Sequence, residues 1–187
     1  MSSNIHYQYY HSPVGNLLLI ANDNGLLGIE FEQEQLTTDA QKWQIATEAS
    51  GQIFEIFCKT RHILDRYFAG EKLEFQHLDF LAPQGTEFQK SVWKILLTIP
   101  YGKTTSYGEI AQQLGKPNAM RAVGGAVGRN PISIIVPCHR VLGKSQTLTG
   151  FGGGLPAKRY LLELEGIDFK DKGIEFVNPK HKKWGNG

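Results

Sequence analysis

A cysteine and a histidine that directly follow a proline are the residues of this chain best suited to covalent chemistry. The apolar run Ile134–Val136 is rich in β-forming residues, and Pro137 ends it immediately before Cys138 and His139. Because proline has a fixed φ and no N–H group, we predict that a strand stops there and that Cys138 lies on a stiff turn. A thiol becomes a strong nucleophile when a nearby base or cation lowers its pKa from about 8.5. The spacing leaves two interpretations open, a nucleophilic cysteine with a histidine base and a buried structural cysteine.

A histidine that acts as a base needs a partner that orients its ring. Neighbouring side chains on a strand point to opposite faces, so Cys138 and His139 are not expected to touch there. A tight turn or a bridging water would restore a proton path between them. The acidic residues downstream that could orient the ring are Glu163, Glu165, Asp168 and Asp171.

The composition is that of an ordinary globular protein. The chain has 187 residues, of which 41% are hydrophobic and 20% are charged, enough for one large core or two small domains. No apolar run approaches the roughly 18 residues that span a bilayer, and the first residues lack the basic and apolar regions of a secretory signal. We therefore predict a cytoplasmic protein with no membrane partner.

The cysteines and histidines do not have the spacing of a metal site. Two cysteines, Cys58 and Cys138, and six histidines occur, and none of them form a C-x-x-C or H-x-x-x-H pattern;. Thiols of a cytoplasmic protein stay reduced, so no disulfide is expected either. We predict no metal and no cofactor, and a buried or half-buried packing role for Cys58.

Charge is distributed unevenly along the chain. Residues 1–82 contain 5 Lys and Arg against 11 Asp and Glu, a net charge of −6, whereas residues 83–187 contain 15 against 7, a net charge of +8. A basic half suggests a surface that faces a polyanion such as nucleic acid. An asymmetry of this size can also be incidental, so it supports a nucleic-acid partner only together with other signals.

The acidic half has the pattern of a small sheet followed by a helix. β-forming runs at Ile5–Tyr10, Asn16–Ala21 and Leu26–Phe31 predict strands, the last two joined by a tight turn at Asn24-Gly25;. Over residues 52–70, apolar side chains then recur at helical spacing until a glycine ends the pattern.

The basic half carries the start signals of three helices. It begins after a break near residue 82, where we place the domain boundary. Capping boxes at Thr86 and Ser106 predict the first two helices, and Asn118 is a suitable N-cap for a third that runs through Val127;. Two short helices joined by a four-residue turn are typical of a helix-turn-helix.

The third predicted helix has unusually small side chains. Gly124 and Gly125 lie mid-helix, where each costs up to about 1 kcal/mol relative to alanine. Ala122, Ala126 and the projecting Arg121 surround them. Such a helix could approach a nucleic-acid backbone or enter a narrow groove. Close packing against another helix would explain the same glycines, and the sequence alone leaves both interpretations open.

The segment around Cys138 resembles the Pro-Cys-His-Arg signature of the O6-alkylguanine-DNA alkyltransferases, also called methylated-DNA–protein-cysteine methyltransferases. The resemblance covers residues 83–168 in the family's order and spacing and is weaker over the first half. An ordered series of this length is far more specific than one five-residue motif. The matching segments are Phe88–Leu97, Thr105–Tyr107, Arg121–Ala126, Asn130-Pro131, Val136–Val141, Gly150–Gly154 and Leu161–Gly166.

The resemblance implies an enzyme of direct-reversal DNA repair. Cys138 would take a methyl or larger alkyl group from O6-alkylguanine by in-line displacement, once and irreversibly, without a cofactor. O4-alkylthymine is a further candidate substrate. The target base has to leave the double helix to be reached, which costs a few kcal/mol. The implied partner is double-stranded DNA, bound through the minor groove by a protein that is monomeric in solution.

The family's pattern also assigns roles to individual residues. His139 would accept the proton of Cys138 through a water molecule while Glu165 holds its ring, and Asn130 would brace the turn. The carbonyl groups of Cys138 and Val141 would read the exocyclic amine of guanine.

Further matching positions lie in the base pocket and on the DNA surface. Tyr107 would help to rotate the nucleotide and would donate to the guanine ring, and Arg121 would fill the space that the flipped base leaves. The N–H of Gly152 would point at O6, beside Phe151, which stands where many members have tyrosine; the missing hydroxyl should slow transfer. The glycines at 152–154 would either loosen the pocket for larger alkyl groups or form a flexible turn. The other predicted DNA contacts are Thr105, Ser106, Ala122, Gly125 and Ala126.

The fold class that the resemblance implies is α+β. Residues 1–82 would form a ribonuclease H-like domain of sheet and helix with no catalytic part of its own. Residues 83–170 would form a helical, winged helix-turn-helix-like domain that binds DNA and transfers the alkyl group, and residues 171–187 a tail.

Two other functions fit parts of the pattern. A Cys-His-Glu hydrolase would use the same proton relay but would turn over repeatedly. A non-enzymatic winged-helix DNA binder would bind DNA equally well without the thiol of Cys138.

Overall fold

The first half of the chain forms a four-stranded sheet. The structure, a computed structural model, describes residues 4–32, 44–45, 51–144, 147–171 and 175–177. The strands are β1 (His6–Ser12), β2 (Gly15–Asn22), β3 (Gly25–Phe31) and β4 (Gln44–Ile45). Their order in the sheet is β3-β2-β1-β4, with β4 parallel to β1 and the other pairs antiparallel.

The connection between β2 and β3 is the predicted tight turn. The backbone N–H of Asn24 donates to Oδ1 of Asn22 (2.8 Å), so an asparagine side chain closes the turn. Gly25 has a φ of +141°, and a Cβ there would overlap the carbonyl oxygen of Phe80. Glycine is required by its backbone conformation and by the close approach of the Phe80 segment.

One long helix, α1 (Gln52–Phe68), packs its apolar side against this sheet. Ile53, Phe57 and Leu64 are buried, as the helical spacing predicts. Cys58 is exposed, so the prediction of a buried or half-buried packing residue is wrong. The position after Phe57 is rotated by about 100° around the helix axis, which turns Cys58 away from the core.

Strand β3 joins the two halves of the chain. The N–H of Leu26 donates to the carbonyl oxygen of Phe80 (2.7 Å), and the N–H of Ala82 donates to the carbonyl oxygen of Leu26 (2.8 Å). Further along β3, the N–H of Ile29 donates to the carbonyl oxygen of Pro131 (2.9 Å). Buried residues from both halves form one continuous apolar cluster. The two halves therefore share a core, and β3 supports the segment that leads to Cys138.

Two helices of the second half begin at the predicted capping boxes. These are α2 (Glu87–Leu97), which starts at Thr86, and α3 (Tyr107–Gln113), which starts at Ser106. In each, the cap side chain accepts from the backbone three residues on, and the side chain there accepts from the cap's own N–H. Because these bonds are local, sequence alone is sufficient to place both starts.

The third helix, α4 (Met120–Gly128), starts one residue later than predicted. Its N-cap is Ala119, which has no capping side chain. The N–H of Ala119 donates to the carbonyl oxygen of Lys116 (2.9 Å), so a turn closes before the helix begins. The prediction that Asn118 caps this helix is therefore wrong.

Short elements complete the second half. Strand β5 (Thr105–Ser106) pairs in parallel with β6 (Val141–Leu142), and helix α5 (Leu155–Leu164) follows. Strand β7 (Phe169–Asp171) pairs with β8 (Glu175–Val177) in antiparallel fashion. The β5–β6 pair holds the chain that leaves the Cys138 turn beside the start of α3. Over the described ranges, no helix has the length and apolar character needed to cross a membrane.

Candidate active site

Cys138 lies at the start of a single 3-10 turn formed by Cys138–Arg140. The residues before it are not a strand, so the prediction for Ile134–Val136 is wrong. Ile132 makes one isolated bridge to Ile29 of β3. The chain then turns, and the N–H of Val136 donates to the carbonyl oxygen of Ile132 (3.0 Å). The apolar run is fully buried, and a short buried run has no periodicity that separates a strand from a turn.

This turn is strained, and Asn130 holds it closed. Ile134 has a φ of +75°, a left-handed conformation that costs a β-branched residue roughly 1–3 kcal/mol. Nδ2 of Asn130 donates to the carbonyl oxygen of Val136 (2.8 Å), and its Oδ1 accepts from the N–H of Ile132 (3.1 Å). One side chain therefore ties both ends of the turn that delivers Cys138.

Replacing Asn130 with alanine should lower the free energy of unfolding by about 2 kcal/mol, because two hydrogen bonds inside a strained turn are lost. Urea unfolding followed by circular dichroism would measure the change. Asn118→Ala, in the exposed turn before α4, is the matched control and should cost less than about 0.5 kcal/mol. Equally small effects of the two substitutions would show that Asn130 does not hold the turn.

His139 is paired with Glu165 inside the core. Nε2 of His139 lies 2.6 Å from Oε2 of Glu165, and both side chains are fully buried. Glu163, another of the acidic candidates, is half-exposed and pairs with Arg159 (2.9 Å). Glu165 is thus the carboxylate that orients the histidine ring.

The Glu165 carboxylate accepts two hydrogen bonds on each oxygen. Oε1 accepts from Nε of Arg140 (2.8 Å) and from the N–H of Gly102 (2.9 Å). Oε2 accepts from His139 and from the hydroxyl of Tyr67 (2.7 Å). Burial by itself would raise the pKa of this carboxyl, but His139, which is charged once it is protonated in acid, together with the charge of Arg140 and the N–H of Gly102 lowers the pKa to about 2. Glu165 is therefore ionised throughout the physiological range.

His139 is neutral at rest and has one unused ring nitrogen. Burial lowers the pKa of His139, and the charge of Glu165 opposes that shift only in part. Because an ionised carboxylate can only accept, Nε2 carries the ring proton and Nδ1 is the basic nitrogen. Nδ1 is buried and makes no hydrogen bond to any residue that the structure describes, the Cys138 sulfur included.

The Cys138 thiol is protonated at rest. Burial raises the pKa of the thiol; the Asn130 amide, the charge of Lys158 and nearby backbone N–H groups offset that shift only in part. Nucleophilic attack by this sulfur therefore requires that its proton first leave for a base.

Lys158 is a buried cation near the thiol that sequence reasoning missed. Its Nζ donates to the carbonyl oxygens of Val141 (2.7 Å) and Thr149 (3.1 Å). Burial lowers the pKa of Lys158 to about 8, and the proximity of Cys138 opposes the shift. A sequence signal exists, because Lys158 lies one helical turn before the buried Leu161 on the apolar face of α5.

Two further members of the buried cluster had no role assigned from the sequence. Arg140 directly follows the histidine, and its Nη1 donates to the carbonyl oxygen of Ile99 (2.6 Å). Tyr67 comes from α1, 72 positions before His139 in the chain. Its place on the apolar face of α1 marks it as buried, but nothing in the sequence indicates what it contacts.

Tyr107 is tied to the same region. Its hydroxyl is hydrogen-bonded to Oγ1 of Thr149 (2.9 Å), the residue whose carbonyl oxygen accepts from Lys158. Val141 is buried in β6, directly after the Cys138 turn. The structure therefore brings Tyr107 and Val141 together with the thiol through Thr149 and Lys158.

The glycine loop at residues 150–154 packs on the N-terminal sheet. The half-buried ring of Phe151 lies 5.3 Å from the ring of Phe31, at the end of β3, in an edge-to-face arrangement. A Cβ at Gly153 would lie 2.6 Å from the same Phe31 ring. A side chain at that position would have to displace the Phe31 ring, so Gly153 allows the loop to pack closely on the end of β3. Gly152 is exposed, with open space around it.

Helix α4 presents an exposed face with small side chains. Arg121, Ala122 and Gly125 are all exposed. A Cβ at Gly125 would meet no atom within 4 Å, and one at Gly124 would lie 3.8 Å from Tyr107. Helix packing therefore requires neither glycine, which removes one of the two interpretations that the sequence left open.

Two predicted DNA contacts are corrected. Ala126 is buried, because it lies one turn from the buried valines of α4, and its carbonyl oxygen accepts from the indole N–H of Trp93 (2.9 Å). Thr105 is buried in β5, and its hydroxyl donates to Oε2 of Glu109 (3.0 Å). Neither side chain is available to a partner. Ser106 is half-buried and caps α3.

Comparison with known sequence families assigns both halves of the chain. The 6-O-methylguanine DNA methyltransferase ribonuclease-like domain matches residues 5–81, and the DNA binding domain of the same family matches residues 87–167. The chain belongs to this family.

Similar proteins cover nearly the whole chain. The methylated-DNA–protein-cysteine methyltransferase of Haemophilus influenzae is 49% identical over 179 residues, which are 96% of each chain. The crystal structure of Mycobacterium tuberculosis O6-methylguanine methyltransferase has 48% identity and a TM-score of 0.76, over 86% of this chain and 92% of that one. The structure of Mycobacterium tuberculosis OGT in complex with DNA has 49% identity and a TM-score of 0.73, with the same shares covered.

Family membership confirms the fold class and the activity that the resemblance implied. The fold is α+β, with a ribonuclease-like domain followed by a DNA-binding domain. The activity is direct-reversal DNA repair, in which a cysteine of the enzyme accepts an alkyl group from DNA. Within the described part of the chain, no group of three or more His, Cys, Asp or Glu side chains could hold a metal ion.

Proposed function

We propose that Cys138 takes a methyl or larger alkyl group directly from O6 of guanine in double-stranded DNA, once per protein molecule. The observation that supports this most strongly is the buried Cys138 turn next to a neutral histidine that Glu165 holds by its other nitrogen. A bond forms between Sγ and the alkyl carbon while the bond from that carbon to O6 breaks. A thioether is chemically stable, so the thiol is not regenerated.

His139 acts as the base of this step through Nδ1. A water molecule between Nδ1 and Sγ of Cys138 carries the proton, since the two side chains do not bond directly;. As the ring gains this proton, the ionised Glu165 stabilises the positive charge. Lys158 adds a positive charge close to the developing thiolate;.

The guanine is held by groups around the Cys138 turn. The carbonyl oxygens of Cys138 and Val141 accept from the exocyclic amine. Lys158 already donates to the carbonyl oxygen of Val141. The second lone pair of that oxygen remains available to the guanine amine. Tyr107 supplies a proton to the departing guanine, which balances the proton taken up by His139.

The glycine loop closes the pocket on the O6 side. The exposed backbone of Gly152 provides an N–H for O6. Phe151 offers no hydroxyl, so the departing oxygen receives less stabilisation than in family members with tyrosine at this position. Alkylthymine, with its O4-alkyl group, is the second substrate that this pocket should admit.

DNA binds at the exposed face of α4, with the helix in the minor groove. Ala122 and Gly125 let the backbone approach the DNA closely, and Arg121 enters the duplex to occupy the place of the flipped nucleotide. Ser106, at the start of α3, contacts a phosphate.

We also propose the organisation of the chain in the cell. Residues 1–82 support the active domain at residues 83–170, and the protein is a cytoplasmic monomer. The predicted tail, residues 171–187, lies largely outside the described residues.

Intact mass spectrometry tests the proposal. The protein is incubated with duplex DNA that contains O6-methylguanine, and the modified peptide is mapped. One added methyl group on the peptide with Cys138, reached at one equivalent of DNA and not exceeded, is the expected result. Cys138→Ser should bind the same DNA and gain no mass.

Other results would point to other functions. Repeated turnover of peptide or thioester substrates without a mass change would identify a hydrolase. Unchanged biological activity of Cys138→Ser would identify a DNA binder in which the thiol is structural.

DNA affinity should fall steeply as salt rises, because each neutralised phosphate releases a counterion and contributes about −0.9 to the slope of log K against log salt. Fluorescence anisotropy with labelled duplex over a salt series would measure this slope. A slope near zero would exclude the basic half as the DNA surface.

A further inference from the structure

Cys138, His139 and Glu165 form the proposed proton relay. The hydroxyl of Tyr67 contacts this relay, although Tyr67 belongs to helix α1 of the N-terminal half. It donates to Oε2 of Glu165 (2.7 Å) and lies 3.4 Å from Nε2 of His139. The Tyr67 side chain is fully buried, and its ring lies edge-to-face with the ring of His139, with 6.4 Å between the ring centroids. The oxygen that holds the histidine is therefore the same oxygen that receives the tyrosine hydroxyl.

Two donors on one carboxylate oxygen compete for its negative charge. An oxygen that already accepts from a hydroxyl attracts a second proton less strongly, and the effect is large where no water screens it. Burial and the charge of Glu165 raise the pKa of Tyr67 well above its usual value, so the hydroxyl keeps its proton and remains a donor at neutral pH.

Other groups around the relay act on different atoms. Arg140 and the N–H of Gly102 bind Oε1 of the carboxylate. The charges of Arg140 and Lys158 oppose protonation of His139. The hydroxyl of Tyr101 donates to the carbonyl oxygen of Leu164 (3.1 Å). Tyr67 is the group among these that shares Oε2 with the histidine.

We propose that Tyr67 is a positioning residue of the proton relay: its hydroxyl limits the pull of Glu165 on His139, so that the ring stays neutral and Nδ1 remains free for the proton of Cys138. This inference rests on the proposed alkyl transfer. It assigns the N-terminal domain a part in the chemistry, whereas the sequence resemblance implied none.

Loss of the hydroxyl has a definite sign. Without this donor, Oε2 becomes more basic and holds the proton shared with His139 more strongly. The pKa of His139 then rises, and at mildly acidic pH a larger fraction of the ring is already protonated and cannot act as a base. The acid limb of the transfer rate should therefore move to higher pH.

The test compares Tyr67→Phe with Tyr10→Phe, both in a Cys58→Ser background that removes the exposed thiol. Tyr10 is a matched control, because its hydroxyl also donates to a carboxylate on α1, Oδ1 of Asp65 (2.6 Å). Single-turnover methyl transfer is measured against pH, together with alkylation of Cys138 by iodoacetamide in the absence of DNA. For Tyr67→Phe we expect the pH at which the rate falls on the acid side of the profile to increase by about one unit in both assays. Below that pH the variant should react roughly ten-fold more slowly than the parent. Tyr10→Phe should follow the parent protein.

Superimposable pH profiles of Tyr67→Phe and the parent would overturn the proposal. An equal slowing of both variants at all pH values would also overturn it, since that is the signature of lost stability alone. If Tyr67→Phe does not fold, difluorotyrosine placed at position 67 keeps the shape and strengthens the donor. The acid limb should then move to lower pH, and an unmoved limb would contradict the proposal.

The two proposals fail in distinguishable ways. A parent protein that never transfers methyl, but whose iodoacetamide reaction responds to Tyr67→Phe, would remove the alkyl-transfer proposal and keep the relay. If the parent transfers methyl but neither assay responds to Tyr67→Phe, the alkyl-transfer proposal stands and the role of Tyr67 is removed.

Discussion

Replacing Glu165 with glutamine should slow single-turnover methyl transfer by about 100-fold or more and lower the free energy of unfolding by about 3 kcal/mol. Four groups donate hydrogen bonds to this carboxylate, two to each oxygen. Glutamine keeps one acceptor oxygen and turns an NH₂ group toward two of those donors. Arg140 is then left without its buried counter-charge, and removal of one partner of a buried pair typically costs about 3–5 kcal/mol. The rate falls because the imidazolium formed during transfer loses its stabilising charge.

The effect on stability should depend on pH. In the unfolded chain this carboxyl takes up a proton near pH 4.5, whereas in the folded protein its pKa is about 2. Between these values the unfolded state binds more protons, so the stabilisation by Glu165 is complete above about pH 4.5 and is lost as the pH falls toward 2. The difference in the free energy of unfolding between the parent and Glu165→Gln should therefore shrink over that window.

Glu163→Gln is the matched control for both measurements. Glu163 lies two residues earlier at the end of α5 and forms a half-exposed ion pair with Arg159, which contributes no more than about 1 kcal/mol. Its substitution should leave the transfer rate unchanged. If Glu165→Gln transferred methyl as fast as Glu163→Gln, Glu165 would have no place in the relay.

Arg121→Ala should reduce the rate of methyl transfer from duplex DNA by about 30- to 100-fold. Arg121 is exposed on the face of α4 that has small side chains, and we propose that it occupies the space of the flipped nucleotide. Extrusion of a base costs a few kcal/mol, and a lost contribution of about 2.0–2.7 kcal/mol corresponds to this change in rate. The reaction with free O6-benzylguanine, which needs no flipping, should change less than about two-fold.

Arg129→Ala controls for charge. Arg129 is also exposed and lies at the C-terminal end of the same helix, so its removal alters the net charge equally. It should weaken duplex binding slightly, and this loss should shrink as salt rises, because one phosphate contact contributes only about 0.9 to the slope of log K against log salt. Equal losses of rate for Arg121→Ala on duplex DNA and on the free base would contradict the proposal that Arg121 occupies the space of the flipped nucleotide.

Local signals account for the elements that the sequence predicted well. The capping boxes at Thr86 and Ser106 act within four residues, and the turn at Asn24-Gly25 within a few residues as well. The β-forming runs of β1 to β3 and the helical spacing of α1 are likewise contained within each element. All of these can be read from the chain because the partners are neighbours in sequence or share a period.

The errors occur where tertiary contacts override such signals. Ile134–Val136 has the composition of a strand, yet the hydrogen bonds of Asn130 and the bridge from Ile132 to β3 bend the chain into a strained turn. Ala126 looks like part of a small-residue surface, but Trp93 of α2 covers it. Gly153 looks like part of a flexible turn, but it packs closely against the Phe31 ring from the other half of the chain.

The sequence by itself identified the family and made Cys138 and His139 the candidates for nucleophile and base, because Pro137, Cys138 and His139 are contiguous and belong to an ordered series of motifs. Only the tertiary structure decided what surrounds them. Glu165 lies 98 positions from Tyr67 and 26 from His139, and no periodic pattern links residues that far apart. Burial of the cluster, which sets the charge of each group, is a property of the shared core. The proton chemistry of this site therefore depends on packing that brings both halves of the chain around one carboxylate.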